Sequence, residues 1–335
     1  MEEIFSELQN SIATEKDKAD SFEYPGYNIT TENFYHLTPT QTTKRIAFID
    51  GGSCIFLKSP SVCAGFIRVV SVIMHNKKTV KTLNNEFFVI AKAVLNNNRI
   101  FYTTNFFKSK NTKKLMETIE LDSLNKMHSS ASERMPISRM IDAARRYAEI
   151  ELADDTLDEL EKGDIIILDG NLNASFNETQ KLQKLCSSEN VLVTAMSKTS
   201  NKLTESGDTL TSLLAKRADK DSWYYYPAFD TTKHNAEIYF VKLHPQSEYI
   251  FSVEIEKDKM YDAGKVMGVL ASYSNDAAFL GYPYGLVKAD RLARVSETEE
   301  EMLLTRLLAS RPELFKELKP YMNSVNAHSV LDSMG

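Results

Sequence analysis

The sequence predicts an α/β fold, a mixed sheet flanked by helices in one elaborated domain. Apolar runs rich in Val, Ile and Phe crowd residues 44–107, and helical and strand-like periods alternate from residue 136 onward. Two of the apolar runs lead straight into an Asp followed by Gly, which marks the open end of an α/β crevice.

The first forty residues read as an amphipathic helix and a polar, Thr-rich connection, with a turn at Pro25-Gly26. Arg45 to Asp50 then forms a short buried strand that should stop at Gly51-Gly52-Ser53. Gly65–Met74, Glu86–Leu95 and Arg99–Phe107 are strand-like and joined by turns such as Asn96-Asn97-Asn98, so an antiparallel meander is expected. Helical periodicity begins after Asn111 and is clearest from Pro136 to Leu160, where Ile137, Ile141, Ala144, Ala148 and Leu152 share a face. A strand over Asp164–Asp169, a helix near Asn177–Cys186 and a strand over Val191–Met196 follow. After a Ser-Gly-Asp turn come a helix at Leu210–Ala218, strands at Glu237–Leu243 and Tyr249–Ile255, and helices at Asp262–Ser272 and Thr298–Ala309.

Composition excludes several functions. The 335 residues carry 40 Lys and Arg against 46 Asp and Glu, a formal net charge of −6, so a polybasic nucleic-acid binder is ruled out. An affinity for nucleic acid has to come from a local patch or from metal ions. No apolar run approaches the ~18 residues of a membrane span, and the start Met1-Glu2-Glu3-Ile4 lacks the features of a signal peptide. Cys54, Cys63 and Cys186 offer neither a disulfide framework nor C-x-x-C spacing, and the six histidines show no metal-ligand spacing. A soluble protein of the reducing cytoplasm is expected.

The chemistry centres on carboxylates. Asp50 shares a strand face with Ile46 and Phe48, and Asp169 shares one with Ile165 and Ile167. Two carboxylates brought together raise one another's pKa unless a cation lies between them, so the pair suggests hard divalent metal binding or a shared-proton dyad. At ~100° per residue, Glu151 projects to the apolar face of the long helix and Glu149 to the opposite side, which makes Glu151 the expected third acid. The segment from Phe101 to Lys114 interleaves aromatics and bases as a single-strand groove does, but better fits a hairpin with a buried Phe face followed by a solvated helix start. Trp223-Tyr224-Tyr225-Tyr226-Pro227 reads as core and dimer contact rather than a base-stacking platform.

The chain resembles the NurA nucleases. The likeness is carried by Ile46-Ala47-Phe48-Ile49-Asp50-Gly51-Gly52-Ser53, by the acid-bearing helix before Ile166-Ile167-Leu168-Asp169-Gly170-Asn171-Leu172, and by Gly281-Tyr282-Pro283-Tyr284 followed by Ala289 and Arg291. The resemblance implies a ribonuclease H-like core over residues 41–311, preceded by a helical arm over 1–40 and followed by a tail over 312–335. It further implies a ring-shaped homodimer, and Mn2+- or Mg2+-dependent cleavage of DNA beside a hexameric HerA-type ATPase in end processing or defence. A non-catalytic adaptor docking on an ATPase ring is the alternative. A phosphotransferase using Asp50 as nucleophile is disfavoured, because the D-x-D arrangement is missing.

On that resemblance Asp50 is the first-strand acid, Glu151 the helix acid with Glu149 as alternative, Asp169 the second-strand acid and Tyr282 the tyrosine of the C-terminal motif. Asp50, Glu151 and Asp169 would hold two metal ions, and Lys198 would approach a substrate phosphate. The family's active-site histidine falls at Asp290. An acid there either recruits metal or is a tolerated replacement, and the repulsion a fourth acid adds toward DNA favours the latter.

Overall fold

The computed structural model of the chain describes residues 29–124, 134–176, 178–198, 209–218, 221–228, 231, 234–257, 259–310 and 313. The amphipathic arm before residue 29, the Ser-Gly-Asp turn at 206–208 and the tail beyond residue 313 lie outside them. The described strands form one eleven-stranded mixed sheet.

The strands are β1 (Phe34–His36), β2 (Ile46–Lys58), β3 (Val62–His75), β4 (Lys78–Asn96), β5 (Arg99–Lys108) and β6 (Glu120–Asp122), then β7 (Ile165–Asp169), β8 (Leu192–Ser197), β9 (Trp223–Tyr225), β10 (Ala236–Lys242) and β11 (Phe251–Glu256). Their spatial order is β1-β9-β10-β11-β8-β7-β2-β3-β4-β5-β6. The expected meander is present, with β2 to β5 pairing antiparallel in sequence order. Its turns at Asn76-Lys77 and Asn97-Asn98 place both central residues at positive φ, a conformation asparagine tolerates better than most side chains. At the centre, β7 runs parallel to β2 and β8 parallel to β7.

The helices are α1 (Arg139–Leu157), α2 (Thr179–Cys186), α3 (Leu210–Arg217), α4 (Ala263–Ser272), α5 (Tyr284–Ala293) and α6 (Glu297–Ser310). Alternation divides the central strands between two layers. Ile46, Phe48, Ile165 and Ile167 pack with Met267, Leu286 and Ala289 of α4 and α5. Ala47, Ile49, Ile166 and Leu168 pack instead with Ile150 and Ala153 of α1 and Leu182 of α2. A third cluster joins α1 to β3 and β4 through Met140, Ile141, Ala144, Ile67 and Phe87.

Three expectations need correction. Strand β2 does not stop at Gly51-Gly52 but continues to Lys58, because these glycines serve close approach rather than a turn. A Cβ at Gly52 would lie 2.2 Å from the Ala293 carbonyl oxygen, and one at Gly51 2.6 Å from Glu149 Oε1. Residues 112–119 are not helical. Their backbone is held against β4 by side chains: Lys113 N–H donates to Asn85 Oδ1, and Asn85 Nδ2 donates to the Lys114 carbonyl. Helix α5 has no counterpart among the expected elements, since its start at Pro283-Tyr284-Gly285 carries turn residues.

The aromatic run Trp223–Tyr225 forms β9 between β1 and β10, with Trp223 and Tyr225 buried alongside Ile29, Leu210 and Phe240. In β5, Tyr102 and Thr104 are buried and Phe107 exposed, as a hairpin with one inward face requires. Among the described residues no helix is long and apolar enough to cross a membrane.

Candidate active site

Parallel pairing of β2 with β7 runs from Ile46 beside Ile165 to Ile49 beside Leu168. The next register step sets Asp50 beside Asp169 where the pairing ends. Both share the faces of Phe48 and Ile167, so their side chains point to the α5 layer. Helix α5 lies hard against β2: a Cβ at Gly285 would meet the Phe48 ring at 2.0 Å, while Ala293 sits over Gly52. Asp290, between those two contacts, is thereby carried to the strand aspartates.

Carboxylate oxygens of Asp50, Asp169 and Asp290 all lie within 4.8 Å of one another. A cleft of about 320 Å3 opens beside them, lined by Asp50, Gly51, Gly52, Ser53, Asp290 and Arg294. Asp50 is only 5% exposed. Its pKa is pushed up to about 8, chiefly by burial and then by the charges of Asp169 and Glu149. Lys198 and the Gly51 N–H, which donates to Asp50 Oδ1 at 2.7 Å, pull the other way without offsetting these.

Lys198 follows β8, the strand next to β7. Its Nζ donates to Asp169 Oδ2 at 2.8 Å and to Asp290 Oδ1 at 3.1 Å, and lies 5.6 Å from the centre of the Tyr282 ring. Burial works against the ammonium, yet Asp169, Asp50 and Asp290 hold its pKa above the usual lysine value. Tyr282 is fully buried, and its hydroxyl donates to Asp169 Oδ1 at 3.4 Å. Burial first, then the charges of Asp169 and Asp50, raise the phenol far above its usual range, so it remains a donor.

The helix acid is placed differently from the sequence expectation. Glu149, not Glu151, faces the sheet: it is 3% exposed, packed against Gly51 on the face of β2 opposite Asp50. Arg145 Nη1 lies 2.7 Å from Glu149 Oε1 and 3.2 Å from the Gly51 carbonyl, and Arg146 Nη1 lies 3.5 Å from Glu149 Oε2. Burial pushes the Glu149 pKa up against these two guanidinium groups. Glu151 pairs with Lys181 on the outer side of the helix and is not brought to the aspartates. The single-face projection failed because α1 buries two flanks, Met140 and Ile141 over β3 and β4 and Ile150 and Ala153 over β7, and Glu149 lies in the seam between them.

Of the sequence-derived set, Asp50, Asp169, Asp290, Tyr282 and Lys198 stand together. Asp290, expected as a tolerated replacement, lies within reach of both strand aspartates. Arg145 and Arg146 were missed, although they precede Glu149 by four and three residues, the spacing of helical ion pairs.

The order β4-β3-β2-β7-β8, with β7 and β8 parallel to β2 and acids at the open end of the parallel pair, defines a ribonuclease H-like α/β fold. The chain belongs to the NurA domain family, whose family model matches residues 44–295. Among solved structures, the NurA nuclease from Sulfolobus solfataricus is 16% identical, with a TM-score of 0.56 over 95% of this chain and 98% of that one. Endonuclease V from Ciona intestinalis, solved with a 24mer DNA containing an inosine, is 11% identical with a TM-score of 0.38, over 86% of this chain and 96% of that one. Human endonuclease V is 9% identical with a TM-score of 0.39, over 78% and 91%. No curated protein sequence matches the chain.

The donor set fits a divalent cation. Three carboxylates present hard oxygen ligands within reach of one ion, and the single ammonium of Lys198 leaves them with excess negative charge.

Proposed function

We propose that the chain is a divalent-metal-dependent deoxyribonuclease that hydrolyses phosphodiester bonds. The observation that carries this reading is the convergence of Asp50, Asp169 and Asp290 within 4.8 Å of one another beside an open cleft, in a chain of the NurA family. Asp50, Asp169 and Asp290 would hold Mn2+ or Mg2+, with Glu149 rather than Glu151 as the helix acid next to them. When bound, such ions supply a nucleophilic water and stabilise the charge that develops on the phosphate, by a two-metal mechanism where both sites fill.

The chain's own residues prepare that site. Gly51 N–H fixes one oxygen of Asp50, and the Tyr282 hydroxyl fixes Oδ1 of Asp169, whose Oδ2 faces the Lys198 ammonium. Arg294, on the cleft wall, and Lys198 give an acidic protein the local positive charge that a phosphodiester requires. The family also suggests a homodimer that works with a HerA-type hexameric ATPase. The lack of a G-x-x-x-x-G-K-[ST] phosphate loop in this sequence agrees with a separate motor.

The test is incubation of the pure protein with end-labelled single- and double-stranded DNA in Mn2+, Mg2+ or EDTA. Cleavage that appears with either ion and vanishes in EDTA is expected. Intact DNA under every condition would leave the adaptor reading in its place.

A further inference from the structure

Three carboxylates and one ammonium meet at this site, and with every carboxyl ionised they leave an excess of two negative charges, the amount that one divalent ion neutralises. Asp169 stands on β7 and Asp290 on α5, elements that reach the site from the sheet and from the layer above it. The close packing of α5 on β2 sets these two like charges side by side but does not neutralise them. The Lys198 ammonium does, at 2.8 Å from one and 3.1 Å from the other, with the Tyr282 ring 5.6 Å away as a further support for positive charge.

We propose that Lys198 is a positioning residue, an internal counter-cation that holds Asp169 and Asp290 together and competes with the divalent ion for them. The inference rests on the metal reading above and deepens it. A lysine suits this part because its ammonium is a mobile point charge on a flexible stem, whereas a guanidinium locks into a planar bidentate pair. Its side chain is 38% exposed, so it has a path out toward solvent. Asp169 and Asp290 use two of its three N–H donors. Released from them, the ammonium stays within its own length of the site, where an anionic phosphate oxygen would meet it.

A merely structural lysine and a competing one make opposite predictions for metal affinity. Removal of a structural lysine lets the carboxylates separate and weakens metal binding. Removal of a competitor takes away a like charge beside the ion and strengthens it.

The experiment is calorimetric titration of Mg2+ and of Mn2+ into wild type, Lys198→Met and Lys198→Gln, with thermal unfolding of each in EDTA and in saturating metal. Lys198→Met should bind metal about tenfold more tightly, as expected for the loss of one adjacent charge at a partly exposed site. It should melt at lower temperature than wild type in EDTA, with the gap closing when metal is saturating. Lys198→Gln, which keeps a donor without the charge, should also bind more tightly. Equal or weaker binding in a folded variant overturns the inference and leaves the metal site standing, whereas no binding to wild type overturns both.

Acylation footprinting of wild type needs no variant to fold. Labelling of Lys198 should accelerate when Mg2+ replaces EDTA, and an unchanged rate would overturn the proposal.

Discussion

Asp50 is buried beside other acids and still lies on an open cleft. Its carboxyl, normally near 3.8, is pushed up to about 8 by burial and by Asp169 and Glu149. A group with a raised folded pKa binds more protons folded than unfolded, so stability falls as pH rises between the two values. In EDTA the protein should therefore lose a few kcal/mol of stability between about pH 4 and pH 8, and Asp50→Asn should flatten that slope. Urea unfolding across the range checks this; a stability that rises through it, or an unaltered slope in Asp50→Asn, contradicts the assigned cause.

Glu149 and Glu151 form a second contrast between single side chains. Glu149→Gln removes the buried anion of Arg145 and leaves Arg146 with Glu178 alone, and should cost about 3 kcal/mol or more, with cleavage falling at least tenfold. Glu151→Gln breaks one partly exposed pair with Lys181 and should cost under about 1 kcal/mol, with near-normal cleavage. Parallel unfolding and cleavage assays rank the two, and the reverse order would place the helix acid at Glu151. The sequence shows both carboxylates, but not the seam in which α1 lies, because the two clusters that bury its flanks are brought together only by the sheet.

At the scale of elements, the site depends on how closely α5 approaches β2. Gly52 meets the Ala293 carbonyl and Gly285 meets the Phe48 ring at distances that leave no room for a Cβ. Gly52→Ala pushes against backbone, which cannot rotate away, so α5 should shift and carry Asp290 with it. The expected cost is about 1–3 kcal/mol of stability, with a loss of cleavage larger than that of a surface substitution of equal stability. Unchanged stability and cleavage would show that α5 is not held in this way.

This approach marks the boundary of what the sequence makes legible. The meander and the two central strands could be read from β-rich runs and Asn turns, and α1 from its apolar period, since these signals are local. Helix α5 could not, because it is ten residues long and opens on Pro283 and Gly285, residues that act locally as breakers. Gly51 and Gly52 read as a turn for the same reason, although their small size serves contacts with α1 and α5. Asp290 accordingly stood out as a departure from a family pattern, while the oxygen cluster that it completes became visible only in three dimensions.

For the molecule as a whole, a net charge of −6 leaves attraction of an anionic substrate to local cations or metal ions, and the sequence carries no phosphate loop to power movement along a duplex. The pure protein should therefore nick or trim DNA without running along it, with long-range digestion appearing only when a HerA-type ATPase and ATP are added. Processive, ATP-independent degradation of long blunt duplexes by the protein alone would contradict that division of labour. The most direct measurement of the central claim is cleavage of end-labelled single-stranded DNA by wild type and by Asp50→Asn, purified in parallel and matched for folding, in saturating Mn2+. Wild type should cleave in the presence of metal, and Asp50→Asn should lose at least a hundredfold, since the substitution removes a ligand charge and preserves shape. Cleavage by Asp50→Asn at the wild-type rate would contradict the claim.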